Sequence, residues 1–171
     1  MSAPPTALAD PAAATSSPEQ VDTWVGEFID GWRAPAGPEE FADHFERVCI
    51  DEVRMIQPQM PTLIGKRAFR ERFVRPLFEF IPDIHATVHD WAASGDVVFI
   101  SFTLEGTIGG RPVTWPCVDR VVLRDGLAVE RRAYFDPTRI LRAVATRPRA
   151  WPAFLRLQAK QIVPTRTKGT R

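Results

Sequence analysis

Apolar residues recur at helical spacing in the first third of the chain and switch to strict alternation after Pro82. Val21, Trp24, Val25, Phe28, Ile29 and Trp32 fall on one stripe, the pattern of a helix with a single buried face. Ser17-Pro18-Glu19-Gln20 opens that helix, with a hydroxyl N-cap, proline at the first helical position and glutamine at the third. Gly37-Pro38 starts a second helix with Phe41, Phe45, Val48 and Cys49 turned inward. Val53 to Gln57 reads as a short strand stopped by Pro58 and Pro61. Residues 66 to 75 form a third helix through Phe69 and Phe73, bent or ended near Pro76, whose ring cannot continue the hydrogen-bond ladder.

Beyond Pro82 four strands follow: Ile84 to Trp91, Val97 to Glu105, Val113 to Leu123 and Leu127 to Phe135. Ser94-Gly95-Asp96, Gly109-Gly110 and Asp125-Gly126 are the turns between them. Asp136-Pro137 then starts a helix through Ile140, Leu141 and Val144, and Trp151, Phe154, Leu155 and Leu157 predict one more. Helices first, then a strand, a helix and an antiparallel meander make an α+β domain. Its helices cover one face of a curved, cone-shaped sheet, leaving an apolar hollow where a small molecule fits. Three segments are expected: a disordered tail over 1–16, poor in large apolar side chains, a domain over 17–146, and a basic helical extension and tail over 147–171.

Charge changes the picture only at the C-terminus. The net charge of +1 gives no overall attraction to nucleic acid. Of the 22 Lys and Arg, nine lie beyond Asp136, and no Asp or Glu follows it. That segment reads as a solvated helix face with a loose tail, or as a surface for an anionic partner. Cys49 and Cys117, both on apolar faces, suit a reducing compartment. Neither a membrane span nor a secretion signal is visible, so the cytoplasm is the expected location.

One carboxylate stands out. Asp119 shares a strand face with Val113, Trp115, Cys117, Val121 and Leu123, and a charge on such a face must be paired, protonated or used. It is either a pocket acid able to give or exchange a proton, or the structural partner of Arg131 on the next strand or of Arg120. No nucleophile elbow, phosphate loop or dinucleotide fingerprint is present, and no cofactor is implied. His85 and His89 lie four apart on a strand, about 13 Å along it, too far to share a metal ion, and no metal is expected.

The chain resembles the nuclear transport factor 2-like superfamily over roughly Val21 to Leu141, in its SnoaL-like and ketosteroid isomerase-like branch. The resemblance rests on the Trp/Phe-rich first helix, the Pro-rich segment ending Leu63-Ile64-Gly65, the Gly110-Arg111-Pro112 turn, and Asp125-Gly126 followed by Ala133-Tyr134-Phe135-Asp136. It implies the cone-shaped α+β fold, a hydrophobic small-molecule ligand of polyketide, terpenoid or steroid type, and a homodimer through the outer sheet face, with Trp91 and Val98 able to face the partner. Asp119 matches the spacing of the isomerases' oxyanion-hole aspartate. Gln57 stands where their base aspartate precedes proline, however, and Phe28 where their first-helix tyrosine falls. The epoxide hydrolases' water-activating aspartate falls on Ala133. SnoaL-like cyclases, which need one acid/base group and a shaped pocket, are the nearest analogy.

The resulting expectation is acid/base assistance of isomerisation, cyclisation or related ring chemistry by Asp119, with Arg131, Tyr134 and Gln57 orienting the ligand. Trp24, Phe28, Met55, Phe73, Phe102, Trp115, Cys117 and Phe135 are the expected lining residues. The alternative is a ligand-binding or scaffold module without chemistry, in which Asp119 is an ion-pair partner.

Overall fold

Ser17 caps α1 (Pro18–Arg33) as its sequence predicts. Its hydroxyl accepts from the Gln20 N–H at 3.2 Å, and the Gln20 side chain accepts from the Ser17 N–H at 2.7 Å. Val21, Trp24, Val25, Phe28 and Trp32 are the buried stripe. The computed structural model describes residues 15–162. Most of the predicted tail (1–14) and the last nine residues therefore lie outside the described residues. Ser16 already belongs to the domain, because its hydroxyl accepts from the Gly126 N–H and its own N–H reaches Asp96.

After α2 (Pro38–Arg47) the chain enters β1 (Cys49–Ile56), a longer strand than the predicted Val53–Gln57. Cys49 is thus the first residue of β1 and not part of the helix face. A two-residue strand, β2 (Leu63–Ile64), precedes α3 (Lys66–Ala68), which passes into a π-helical turn (Phe69–Val74) and then α4 (Arg75–Phe80). The third helix therefore runs past Pro76. In the wide turn the Arg75 N–H reaches back to the Arg70 carbonyl, and Pro76, which has no N–H to give, follows directly at the start of α4. Arg70 fastens this turn to α2 through Glu39 (2.8 Å) and Glu46 (2.9 Å).

Strands β3 (His85–Ser94), β4 (Val97–Ile108), β5 (Arg111–Arg124) and β6 (Leu127–Phe135) form the expected antiparallel meander. The curved, unclosed sheet has the order β2-β1-β6-β5-β4-β3, with β1 parallel to β6. Val98, Ile100, Phe102 and Leu104 point inward from β4, so Val98 faces the core and no partner. Gly106 on that same row admits Ile81, since a Cβ there would collide with the Ile81 Cγ2. On the outer face, Phe99, Val118 and Tyr134 are exposed.

Helices α5 (Thr138–Ala145) and α6 (Trp151–Ile162) flank a 3-10 turn (Pro148–Ala150). Arg147 donates to the carbonyls of Ile108 (2.9 Å) and Arg111 (3.0 Å), which tie the β4–β5 turn to this segment. Gly109, at φ 60°, permits the approach, because a Cβ there would lie 2.9 Å from that of Arg147. The described part of the expected extension is thus packed onto the domain, with Phe154 against Phe80 at 5.7 Å between ring centres.

Candidate functional site

Asp119 is central to β5 and directly opposite Ala133 of β6, with Arg131 two residues back on the same face. That diagonal lets the long arginine reach the short carboxylate. Arg131 Nε donates to one Asp119 oxygen at 2.5 Å and Nη2 to the other at 3.1 Å. The carboxylate is fully buried, and the guanidinium side chain is 11% exposed. The Cys117 thiol donates to the same carboxylate at 3.8 Å. Burial raises the pKa of the Asp119 carboxyl, and the guanidinium offsets part of that rise. Desolvation works against the Arg131 cation, but the Asp119 charge outweighs it and holds its pKa above the usual value. Arg131 is therefore a permanent cation with its charge balanced by Asp119.

Among the described residues, two adjoining hollows lie between the sheet and the helices. The outer one, about 100 Å³, is lined by Gln57, Phe73, Trp115, Cys117, Arg131 and Phe135, among others. The inner one, about 20 Å³ and large enough for a single water, is lined by Trp24, Phe28, Met55, Phe73 and Arg131 with further aromatic rings. Arg131 borders both and Asp119 borders neither. The expectation of a carboxyl group opening onto the cavity is therefore corrected. Strand parity brings Asp119 to the inner face, but the guanidinium covers it.

Two further expectations change. Tyr134 is 51% exposed on the outer sheet face, because alternation along β6 puts Arg131, Ala133 and Phe135 inside and Tyr134 outside. That parity was readable in the sequence. Phe102 lines neither hollow. It packs against Phe28 (5.5 Å) and Trp32 (6.4 Å) as core.

The sequence reading missed Trp32, Leu77, Phe80, Ile140, Phe154 and Leu157 in the outer wall. The helical spacing of Phe154 and Leu157 was the available signal, obscured by the basic residues around them. Pro58, Gln59 and Met60 form part of the rim, with Gln59 in the left-handed region at φ 65°. Gln57, Gln59 and Gln158 are the uncharged polar groups there. Among the described residues, no aspartate, glutamate, histidine or tyrosine lines the outer hollow. His44 meets the Glu27 carbonyl, His85 the Asp83 carbonyl and His89 the Thr103 hydroxyl.

With that geometry in view, the model of the SnoaL-like domain family matches residues 25–131, and the chain belongs to this family. The fold is shared with a proposed SnoaL-like polyketide cyclase from Jannaschia sp. CCS1, at 22% identity and a TM-score of 0.62, covering 82% of this chain and 98% of that one. It is shared too with an LEH-like epoxide hydrolase from M. tuberculosis, at 17% identity and a TM-score of 0.59, over 78% and 96% of the two chains. IdmH, a proposed polyketide cyclase from Streptomyces antibioticus, superposes with a TM-score of 0.60 at 17% identity, over 72% and 97%. At these identities the likeness is one of fold. No curated protein sequence matches the chain. No described helix is long and apolar enough to cross a membrane.

Proposed function

We propose that the protein binds a neutral, largely apolar small molecule in the outer hollow, with Arg131 donating a hydrogen bond to an acceptor oxygen of the ligand. The observation that carries this reading is the placement of the Asp119–Arg131 pair. The cation edges an apolar cavity while its charge is already matched from behind. A ligand carboxylate would bring an unbalanced negative charge into an apolar site, whereas a ketone, lactone or quinone oxygen needs only a donor. Ordinary ligand pockets run to roughly 300–1,000 Å³. A hollow of about 100 Å³ takes a single small ring, or one end of a longer molecule leaving through the Gln57–Met60 rim.

The test compares a neutral ketone with the carboxylate of the same carbon skeleton by calorimetry. The ketone should bind at least about tenfold more tightly. Replacing the pair as a unit, Asp119→Leu with Arg131→Met, removes the donor and should weaken ketone binding about tenfold. A double variant that binds the ketone as tightly as the wild type would remove Arg131 from the reading.

Ring chemistry by proton exchange is the second reading. It is favoured by the raised carboxyl pKa of Asp119 and by fold neighbours described as polyketide cyclases and an epoxide hydrolase. There Asp119 acts only after a ligand oxygen has drawn Arg131 away from it. Exchange of the bound ketone's α-protons with deuterated solvent, lost in Asp119→Asn, would establish that reading. Exchange at the solvent rate leaves binding alone. Self-association through Phe99, Val118 and Tyr134 on the outer face belongs to the same proposal. Phe99→Glu should convert a dimer to a monomer in light scattering.

A further inference from the structure

The two hollows share a wall. Trp32, Phe73 and Arg131 border both of them. Two of these three are fixed from several sides. Trp32 is wedged among Phe28, Phe41, Phe45 and Phe102, with ring centres 4.7 to 6.5 Å away. Arg131 is held by both oxygens of Asp119. Phe73 is held differently. Its ring stacks on Phe69 at 5.6 Å and lies under the Arg131 guanidinium at 5.6 Å, and it is carried by the π-helical turn rather than by an α-helix. Such turns add a residue to the ladder and redirect a side chain, and they gather at functional sites. Here the turn directs Phe73 into the wall that the two hollows share.

Building on the outer hollow as the ligand site, we propose that Phe73 determines ligand length. Its ring separates the outer hollow from the inner space lined by Trp24, Phe28 and Met55, so a chain that runs inward from Arg131 ends at that ring. Shortening residue 73 joins the two spaces and admits additional carbons. Enlarging it removes room from the outer hollow. Phe73 touches the ligand as a stop and takes no part in holding its oxygen.

The probe is a series of straight-chain 2-alkanones from six to twelve carbons, each neutral with one acceptor oxygen, titrated into the full-length protein by calorimetry. In the wild type, affinity should rise about fourfold per methylene, the value of burying one such group, and stop rising at a defined length. Phe73→Ala should move that limit out by two or more carbons, so that the first excluded ketone gains about tenfold or more. Phe73→Leu should give an intermediate limit and Phe73→Trp a shorter one, and both keep a large apolar side chain for the fold. If the wild type and all three variants stop at the same carbon number, the length proposal is overturned while the ligand site stands. If no ketone of any length binds the wild type, the ligand site falls and this proposal with it.

Discussion

Replacing Asp119 by Asn separates the two lives that this residue can lead. The amide keeps the shape of the carboxylate but removes its charge, leaving the Arg131 guanidinium, 11% exposed, opposite a neutral group. Both short contacts, at 2.5 and 3.1 Å, are charge-assisted, and an uncompensated buried charge costs about 3–5 kcal/mol. For a domain of this size each kcal/mol corresponds to roughly 2–4 °C, so Asp119→Asn should lower Tm by about 6–20 °C. The companion double variant, Asp119→Leu with Arg131→Met, removes both charges and keeps the volume. It should fall within about 2 kcal/mol of the wild type, on either side. Urea unfolding at pH 7, followed by the fluorescence of the five tryptophans, measures both. A fully stable Asp119→Asn protein would refute the reasoning. It would mean that the carboxyl is neutral in the native state, an acid in waiting rather than a counter-ion.

Two other outcomes follow from the buried and bonded groups. Burial pushes the Cys49 thiol to about 12 from 9.0 and raises Cys117 as well, so near pH 8 the folded protein holds about a thousandfold less Cys49 thiolate than the unfolded chain. Labelling by an aromatic disulfide should therefore wait on unfolding, and native protein that reacts as fast as protein in urea would contradict the burial. Burial alone would raise the Asp83 carboxyl. The Thr107 N–H (2.8 Å) and hydroxyl (2.6 Å) outweigh it and hold the pKa below 3.8. A carboxylate lowered on folding stabilises fully above its unfolded pKa, and that stability disappears as pH falls through the folded value. The stability gap between the wild type and Asp83→Asn should accordingly narrow on acidification below about pH 4. A gap that stays constant from pH 7 to pH 2 would show that Asp83 contributes nothing through its charge.

Local spacing specified most of the elements, because neighbours in the chain suffice to set them. The Ser17–Gln20 cap, the α1 stripe, the turns at Gly95, Gly109 and Gly126 and the alternation of β4 to β6 all follow from local spacing. It also put Asp119 and Arg131 on the same side of the sheet, since parity is fixed within each strand. Tyr134 was misplaced only by setting that same parity aside. What the chain could not show is which groups a cavity touches. That depends on the diagonal register of β5 against β6, on a π turn that carries the third helix past Pro76 and swings Phe73 onto Arg131, and on Arg147 drawing the last helices over the opening. Each of these joins residues far apart in the chain, where packing and charge balance, rather than spacing, select the partner. Tertiary structure thus turned the exposed end of the pair from acid to cation.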